Sequence, residues 1–336
     1  MRFRNTWTEA KIISAKPVAN NVQQIEIMPS GGTYTFTPGS HIDVSVFIKG
    51  LPEIRSYSLV GLHEPGKPYC IAVKRLQASK GGSAYMWTLQ EGARLQVSQP
   101  MNHFELSARH EKYFLVAGGI GITPLIGMAK ELTAGKASVQ MLYAGSAKNE
   151  MPFIDELKEC LGDNLVVHTK EEEQSRFDFE KLIAGLENNV QVYMCGPLGM
   201  MNAVRKYWEQ YKKPVGNLRF ETFGASGLFA PQPFKVKIPR LALELTVEEN
   251  QSLLDVLNNT GADVMYDCKK GECGLCAVDI LSCSGIVDHR DFFFSEHQKA
   301  ENKKLCACVS RVVNGDITID TAYRGAALTN GINQFT

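Results

Sequence analysis

The first third of the chain alternates apolar and polar residues over short runs, which is the pattern of half-buried β-strands. Turn residues such as Pro38-Gly39 and Pro65-Gly66 separate these runs. The runs that predict strands cover residues 22–28, 41–48, 55–60, 69–75 and 94–98. Short strands at this spacing favour a small antiparallel β-barrel, which we assign to residues 1–107.

The pattern changes near residue 111, where apolar runs at 112–117, 139–143, 165–169 and 190–195 alternate with helical stretches. Within one such stretch, Phe179, Leu182, Ile183 and Leu186 form the apolar face of a helix. Strands that alternate with helices predict a parallel sheet covered on both faces. We therefore expect an α/β domain over residues 108–223, an architecture that binds nucleotides in many proteins but does not by itself assign a function.

Residues 224–233 contain glycine, alanine, serine and proline in proportions typical of a linker. Beyond this linker, runs at 234–238 and 242–247 predict two strands, and 253–258 predicts a short helix. Ser295 and Gln298 have the spacing of a capping box, so a second short helix is expected to begin there. Strands and two short helices around a cysteine-rich loop predict an α+β domain of the plant-type ferredoxin (β-grasp) class over residues 234–336.

Composition narrows the class of protein. At 336 residues the chain is expected to form two or three domains, and its 36 basic residues balance 36 acidic ones without a basic block. This balance argues against a nucleic-acid partner. The longest uncharged stretch, 113–129, is interrupted by glycines and a proline, so no membrane span is expected. Nine cysteines and an N-terminus without an apolar signal region favour reduced thiols and a cytoplasmic, soluble protein.

The cysteine-rich loop contains the strongest chemical signal. Cys268, Cys273 and Cys276 have the C-x4-C-x2-C spacing of plant-type [2Fe–2S] ligands, and Cys306 or Cys308 supplies a distant fourth thiolate. Glycines inside the loop allow tight turns that bring N–H groups close to sulfur. The alternative is a zinc site made of Cys273, Cys276, Cys306 and Cys308, which would leave Cys268 unexplained. Colour would separate the two, because zinc sites are colourless.

A glycine-rich turn follows the first predicted strand of the α/β domain. Gly118, Gly119 and Gly121 precede Thr123 and Pro124, which we expect at the N-cap and the first position of a helix. Helix N-termini favour phosphate, although a simple tight turn is the alternative and the G-x-G-x-x-G fingerprint is absent.

Cys195 ends a predicted strand and precedes Gly196-Pro197. Ligands of parallel sheets bind at the ends of such strands, so Cys195 is a candidate site residue. The alternative is a small cysteine packed in the core.

These two segments, together with Arg55-Ser56-Tyr57-Ser58 and Cys308-Val309-Ser310-Arg311, occur in an order that resembles the phthalate dioxygenase reductase family. That family comprises three-domain FMN, NADH and [2Fe–2S] proteins serving Rieske-type oxygenases, including the reductases of vanillate demethylase and carnitine monooxygenase. The resemblance covers nearly the whole chain.

The resemblance implies a role for each residue of the flavin motif. Arg55 pairs with the flavin phosphate, Ser56 belongs to the same binding strand, Tyr57 packs on the isoalloxazine, and Ser58 bonds near its reactive nitrogen. Without the resemblance, the motif is equally well explained as an ordinary amphipathic strand. Further flavin contacts are implied on a second strand and on a phosphate loop that opens a helix over 83–90, namely Val73, Lys74, Gly81, Gly82 and Ser83.

For the nicotinamide, the resemblance implies that Cys195 lies beside C4 and that Phe223 covers the ring, although core packing would also explain Phe223. The implied catalytic residues are thus Ser58, Cys195 and Phe223. The implied nucleotide contacts are Gly118, Gly119, Gly121, Thr123, Pro124, Cys195, Gly196 and Pro197. The resemblance favours NADH, but the residues after 143 lack the acidic side chain that commonly selects it, so NADPH stays open.

The fourth ligand of the cluster is expected to be Cys308, because Cys308-Val309-Ser310-Arg311 matches the family and a final strand follows at 316–320. The expected metal ligands are therefore Cys268, Cys273, Cys276 and Cys308.

The resulting function is that of an NADH-dependent oxidoreductase, monomeric in isolation, in which electrons pass from NADH to FMN, to the [2Fe–2S] cluster and to a Rieske-type oxygenase component. The histidines lack the spacing of a Rieske centre, so oxygen chemistry is expected in the partner. The alternatives are a reductase for another acceptor protein and a redox-sensing cluster protein. The sequence does not identify the substrate of the partner.

Overall fold

The computed structural model describes residues 6–48, 50–76, 81–107, 110–223, 229, 231–249 and 251–321. The chain forms two compact units, Met1–Glu221 and Thr222–Thr336. Residue 108, where the predicted barrel would give way to the α/β domain, and most of the predicted linker lie outside the described residues. Among the described residues, no helix has the length and apolar character needed to cross a membrane.

The first unit begins with the predicted antiparallel barrel. Its strands are β1 (Trp7–Ala19), β2 (Val22–Pro29), β3 (Ser40–Ile48), β4 (Leu51–Ser58), β5 (Tyr69–Lys74), β6 (Arg94–Ser98) and β7 (Met101–Asn102), with helix α1 (Gly82–Met86) after β5. The strand order is β4-β3-β6-β1-β2-β5, with β7 paired to β3, and every pairing is antiparallel. A bridge between Leu59 and Ile71 joins the two ends of this order. The inward positions are mostly β-branched, which suits a pleated surface.

The rest of the first unit is the predicted α/β domain. Its strands are β8 (Lys112–Gly118), β9 (Ser138–Gly145), β10 (Leu165–Thr169), β11 (Gln191–Cys195) and β12 (Leu218–Glu221), and its helices are α2 (Thr123–Ala134), α3 (Ile154–Leu161), α4 (Lys170–Glu173), α5 (Phe179–Gly185) and α6 (Leu198–Gln210). The sheet is parallel, in the order β10-β9-β8-β11-β12. The chain moves outward from β8 in both directions, so the order reverses between β8 and β11, and ligands bind at such a reversal in open α/β sheets.

Two local predictions for the first unit are wrong in detail. Ile122 occupies the N-cap of α2, and the Thr123 hydroxyl donates to the carbonyl of Ile120 instead of capping the helix. A short 3-10 helix, Gly119–Ile122, runs directly into α2. Its hydrogen bonds use backbone groups that a capping side chain would otherwise bind. The helix expected over 83–90 is only one turn long, since α1 ends at Met86.

The second unit has the topology expected of a β-grasp ferredoxin. Its elements are β13 (Phe234–Ile238), β14 (Leu243–Val247), α7 (Leu253–Asn259), β15 (Ala277–Cys283), β16 (Ile286–Asp288), α8 (Glu296–Glu301), β17 (Lys304–Cys306), β18 (Arg311–Val313) and β19 (Ile317–Asp320). One sheet has the order β14-β13-β19-β15-β17, with β13 and β19 parallel and the other pairs antiparallel. Strands β16 and β18 form a separate antiparallel pair. The capping box at the start of α8 is confirmed.

Candidate cofactor sites

The loop that carries the first three cysteines has the backbone geometry of a cluster-binding loop. Lys269, Gly271 and Gly274 all have positive φ, at +53°, +76° and +72°. These left-handed residues turn the peptide N–H groups inward. As a result, the N–H groups of Lys270 and Glu272 both donate to the sulfur of Cys268, each at 3.4 Å.

The predicted ligands interact through their sulfurs. The Cys268 thiol interacts with Cys273, and the Cys276 thiol interacts with both Cys306 and Cys308. Hydrogen bonds from the thiols of Cys306 and Cys308 lower the pKa of Cys276 to about 3, so Cys276 is readily the thiolate that metals bind. A [2Fe–2S] cluster requires four thiolates, two for each iron, and cysteines gathered at this loop are the residue type that supplies them.

The two candidates for the fourth ligand have different surroundings. The Cys276 sulfur raises the pKa of both thiols, so contact with Cys276 does not distinguish them. Cys308, however, is half-buried after β17, receives a hydrogen bond from the N–H of Gly271 and lies within the electrostatic reach of Cys268. Cys306 is fully buried in β17, where it pairs in register with Ala277. Cys308 thus contacts a backbone N–H of the ligand loop, whereas Cys306 lies in a core strand with its thiol against Cys276.

The cluster loop is packed against the segment that follows β16. A Cβ at Gly271 would lie 2.6 Å from Val309 and 2.9 Å from the Cα of Asp291, and one at Gly274 would lie 2.4 Å from the ring of Phe293. The carbonyl of Gly271 accepts bonds from the N–H groups of Phe292 and Phe293. Both glycines are therefore required by close approach as well as by positive φ.

The three consecutive phenylalanines, residues 292–294, do not share one environment. Phe292 and Phe294 are buried, whereas Phe293 is 45% exposed over Gly274.

A buried polar network behind these rings was missed at the sequence level. Asp291 accepts from the Ser310 hydroxyl at 3.1 Å and from the N–H of Phe294 at 2.9 Å, so it ties the aromatic segment to the strand after Cys308. Arg290 forms a buried ion pair with Asp288 at 2.6 Å. The run Asp288-His289-Arg290-Asp291 was the available signal, because so many charged groups beside buried aromatics require partners.

The nucleotide-binding candidates converge at the reversal point of the parallel sheet. Cys195 is fully buried and lies in register with Ala117 of β8 on one side and Glu221 of β12 on the other. A Cβ at Gly121 would lie 2.2 Å from the carbonyl oxygen of Cys195, and one at Gly196 would lie 2.9 Å from the Cα of Gly118. The two predicted segments therefore touch, and glycine leaves the space that backbone approach requires.

Three further residues of these segments were predicted to contact the nucleotide. Pro197 is the N-cap of α6 and lies 2.5 Å from where a Cβ of Gly118 would stand. Pro124 is the second residue of α2, one position later than predicted, and both Thr123 and Pro124 are buried.

The flavin motif lies on β4, with its last residue at the edge of the α/β domain. The Ser58 hydroxyl donates to Glu221 at 3.2 Å, and both residues are almost fully buried. This bond links the barrel strand to the end of β12 within the first unit. Glu221 was not among the predicted site residues. The signal available for it was its position at the carboxyl end of a parallel strand, next to Cys195.

The other residues of the motif have protein partners. Arg55 forms an ion pair with Glu53 at 2.6 Å, and the Ser56 hydroxyl donates to Asp43 at 2.6 Å. Burial raises the pKa of Tyr57, and the neighbouring Arg55 opposes that rise only in part. Tyr57 is therefore a neutral ring, suited to stacking on a flat cofactor.

The predicted phosphate loop lies against Arg55. A Cβ at Gly82 would lie 2.8 Å from Nε of Arg55, so glycine lets the loop backbone approach the guanidinium. Gly81 has a φ of +101°, and the Ser83 hydroxyl accepts from the N–H of Leu76. A guanidinium beside a glycine backbone fits the phosphate of a flavin mononucleotide.

The remaining predicted flavin contacts, Val73 and Lys74, form bonds with other groups of the protein. Lys74 forms an ion pair with Glu150 at 3.1 Å, and the carbonyl of Val73 accepts from the indole N–H of Trp87.

The side chain of Phe223, which was predicted to cover the nicotinamide ring, is 42% exposed, so core packing does not account for it.

Two family models match the chain. The 2Fe-2S iron-sulfur cluster binding domain matches residues 237–313, and the oxidoreductase NAD-binding domain matches residues 115–206. The first match includes all the predicted ligands, and the second includes both glycine segments at the reversal point of the sheet.

Relatives extend the similarity to nearly the full chain. The chain is 33% identical to phthalate dioxygenase reductase of Burkholderia cepacia over 92% of its own length and 96% of that protein. It is 34% identical to the beta subunit of heme-dependent oxidative N-demethylase of Ectopseudomonas mendocina, over 85% of the chain and 89% of the relative. Among solved structures, phthalate dioxygenase reductase, described as a modular structure for electron transfer from pyridine nucleotides to [2Fe–2S], matches with a TM-score of 0.72 and 31% identity over 94% of the chain and 98% of that structure.

Proposed function

The chain belongs to the phthalate dioxygenase reductase family, and we propose that it carries electrons from NADH through FMN to a [2Fe–2S] cluster and on to a partner oxygenase. The predictions of the family, of the multidomain fold class and of an oxidoreductase with NAD-binding and cluster-binding domains are confirmed. The observation that supports the proposal most directly is the gathering of cysteine sulfurs around one loop, in a chain whose parallel sheet also brings two glycine segments together at its reversal point.

The chain's own residues have separable tasks in this transfer. Tyr57 provides a flat neutral surface, Arg55 provides a charge for phosphate, and the Ser58–Glu221 pair holds a hydroxyl at the edge of the α/β domain. The glycines on either side of Cys195 let the two nucleotide-binding segments pack closely at the sheet reversal, where the nicotinamide end of the nucleotide is proposed to bind. Flavin, when bound, supplies the exchange between a two-electron hydride donor and a one-electron acceptor. In the second unit, Phe293 shields the cluster loop over Gly274.

Cys308 is proposed as the fourth ligand because it faces the ligand loop, whereas Cys306 is enclosed in β17. Cys268, Cys273 and Cys276 complete the set.

The preferred nucleotide is proposed to be NADH. Strand β9 ends at Gly145, and Ser146 and Lys148 follow it without an acidic residue for the ribose hydroxyl. The family therefore supports this choice more strongly than the residues do. A comparison of kcat/KM for the two nucleotides tests it, and a higher value for NADPH would overturn it.

The electron acceptor is proposed to be a Rieske-type oxygenase, because reductases of the family that the sequence resembles serve oxygenases of this type. A haem protein is the second candidate, because one relative is a subunit of a heme-dependent N-demethylase. The exposed apolar side chains near the cluster loop suit a brief protein encounter with either acceptor, and they are Met265, Tyr266, Leu275 and Phe293.

We also propose that the protein is cytoplasmic and monomeric.

The proposal is tested by anaerobic mixing with NADH. We expect the flavin absorbance to bleach first and the cluster absorbance afterwards, and we expect heat to release stoichiometric FMN. Rapid turnover with artificial acceptors supports a reductase, whereas stoichiometric reduction without turnover would indicate a redox sensor. Release of FAD, or a colourless zinc protein, would contradict the cofactor assignment.

A further inference from the structure

Thr222, the first residue of the second unit, is bonded to the cluster loop. Its N–H donates to Oε1 of Glu272 at 2.6 Å, and its hydroxyl lies 2.8 Å from the same oxygen and 2.8 Å from the carbonyl oxygen of Lys270. Thr222 is buried, so water does not compete freely for these bonds.

The two loop residues that Thr222 contacts both donate hydrogen bonds to Cys268. Lys270 and Glu272 each donate a backbone N–H to the Cys268 sulfur at 3.4 Å. Thr222 binds the carbonyl of the first residue and the carboxylate of the second. One threonine thus contacts two of the residues whose backbone N–H groups donate to one ligand sulfur.

We propose that Thr222 is a positioning residue for the cluster, holding the Lys270 carbonyl and the Glu272 carboxylate so that the backbone N–H groups of these two residues stay directed at the sulfur of Cys268. Hydrogen bonds to ligand sulfurs stabilise the extra negative charge of the reduced cluster and thereby raise its reduction potential. The inference rests on the proposed function, since it takes Cys268 as a cluster ligand. Neither the match to a cluster-binding domain nor the cysteine spacing involves Thr222, which lies outside the matched range.

Two matched pairs of variants separate this role from a general electrostatic one. Thr222→Val removes the hydroxyl and Thr222→Ser keeps it, with no change of charge in either. Glu272→Ala and Glu272→Gln remove the same charge, but the glutamine amide oxygen can still accept from Thr222. In each pair, the difference isolates the hydrogen bonds.

The measurement is the midpoint potential of the cluster in the full-length protein, titrated chemically with dithionite and followed by electron paramagnetic resonance. We expect Thr222→Val to shift the one-electron equilibrium towards the oxidised cluster by up to about tenfold, which corresponds to ~59 mV, with Thr222→Ser close to the parent. We expect Glu272→Ala to have the lower potential of its pair. Hydrogen exchange at the amides of 270 and 272 should be faster in Thr222→Val, at unchanged iron content.

Equal potentials within both pairs, with unchanged exchange, would overturn the proposal. Should Thr222→Val lose its cluster, the Glu272 pair decides by the same criterion. Because dithionite reduces the cluster without NADH or flavin, failure of this inference is distinct from failure of the proposed function, which would appear as a parent protein whose cluster NADH does not reduce.

Discussion

Gly274 has a φ of +72°, in the left-handed region, and a Cβ there would enter the ring of Phe293 at 2.4 Å. Gly261 has nearly the same backbone, with a φ of +78°, but no atom lies within 4 Å of the position of its missing Cβ. The two glycines therefore differ in crowding and not in backbone conformation. This makes Gly261 a matched control for the demands of the cluster loop.

We expect Gly261→Ala to cost about 1–2 kcal/mol of unfolding free energy, the cost of a left-handed alanine, and to leave the iron content unchanged. Gly274→Ala should carry the same backbone cost and also displace Phe293, so it should lose much of its iron and its visible absorbance. The measurements are denaturant unfolding, iron content and absorbance. Full iron in Gly274→Ala would show that Phe293 moves aside without harm to the loop.

The Ser58–Glu221 bond gives a second prediction for single residues. Removing a charged acceptor from a buried hydroxyl costs about 1.5–3 kcal/mol, so Glu221→Ala should slow the reduction of flavin by NADH by roughly ten- to a hundredfold. Glu221→Gln keeps an acceptor oxygen and should stay near the parent rate. Stopped-flow absorbance measures this step directly. Equal rates in the parent and in both variants would mean that the bond only joins the barrel to β12.

At the scale of elements, the strongly patterned strands could be predicted from sequence and the weakly patterned ones could not. The runs at 94–98, 165–169 and 234–238 coincide with β6, β10 and β13 because each alternates or is continuously apolar. Strand β1 is the longest and was missed, since Ala10 and Ile12 are the only positions of its 13 residues that are buried. The pattern of a strand reflects its burial, and a strand with few fully buried positions has little pattern to detect.

The site residues also divide into those that the sequence predicts and those that it does not. The cysteines and glycines were identifiable because spacing and backbone conformation are local properties of the chain. Glu221, Asp291 and Thr222 were missed because their partners lie 163, 19 and 50 residues away in sequence. Pairings of that kind depend on the folded arrangement.

The placement of Cys306 within β17 and of Cys308 after it gives a prediction about that element. Cys306→Ser changes a core position and should lower stability while leaving most of the iron, because the hydroxyl is buried without being a ligand. Cys308→Ser should abolish the cluster. Iron content and visible absorbance of the two variants provide the comparison, with each serving as the control for the other. The reverse pattern would assign the fourth ligand to Cys306.

At the scale of the whole molecule, each unit has its own hydrophobic cores. The clusters of the first unit draw on residues between Ala10 and Cys195, and the cluster of the second draws on Phe234 to Ile319. The part of the predicted linker that the structure describes is held by the second unit, since Arg290 binds the carbonyl of Phe229 and Arg311 binds the carbonyl of Gln232. We therefore propose that the division between the units falls near Glu221, ahead of the predicted linker.

Separate cores predict that the first unit functions alone. A chain that ends at Phe223 should fold as a yellow flavoprotein that oxidises NADH with ferricyanide at close to the parental rate. It should reduce cytochrome c at least about tenfold more slowly, because exit of single electrons to a protein acceptor depends on the cluster. Cys308→Ser in the full-length chain is the matched control, since it should lose the cluster but keep the second unit. If the shortened chain reduced cytochrome c as fast as the parent, electrons would leave directly from the flavin. If only the shortened chain were slow and Cys308→Ser were not, the second unit would be acting as a docking module without need of its iron.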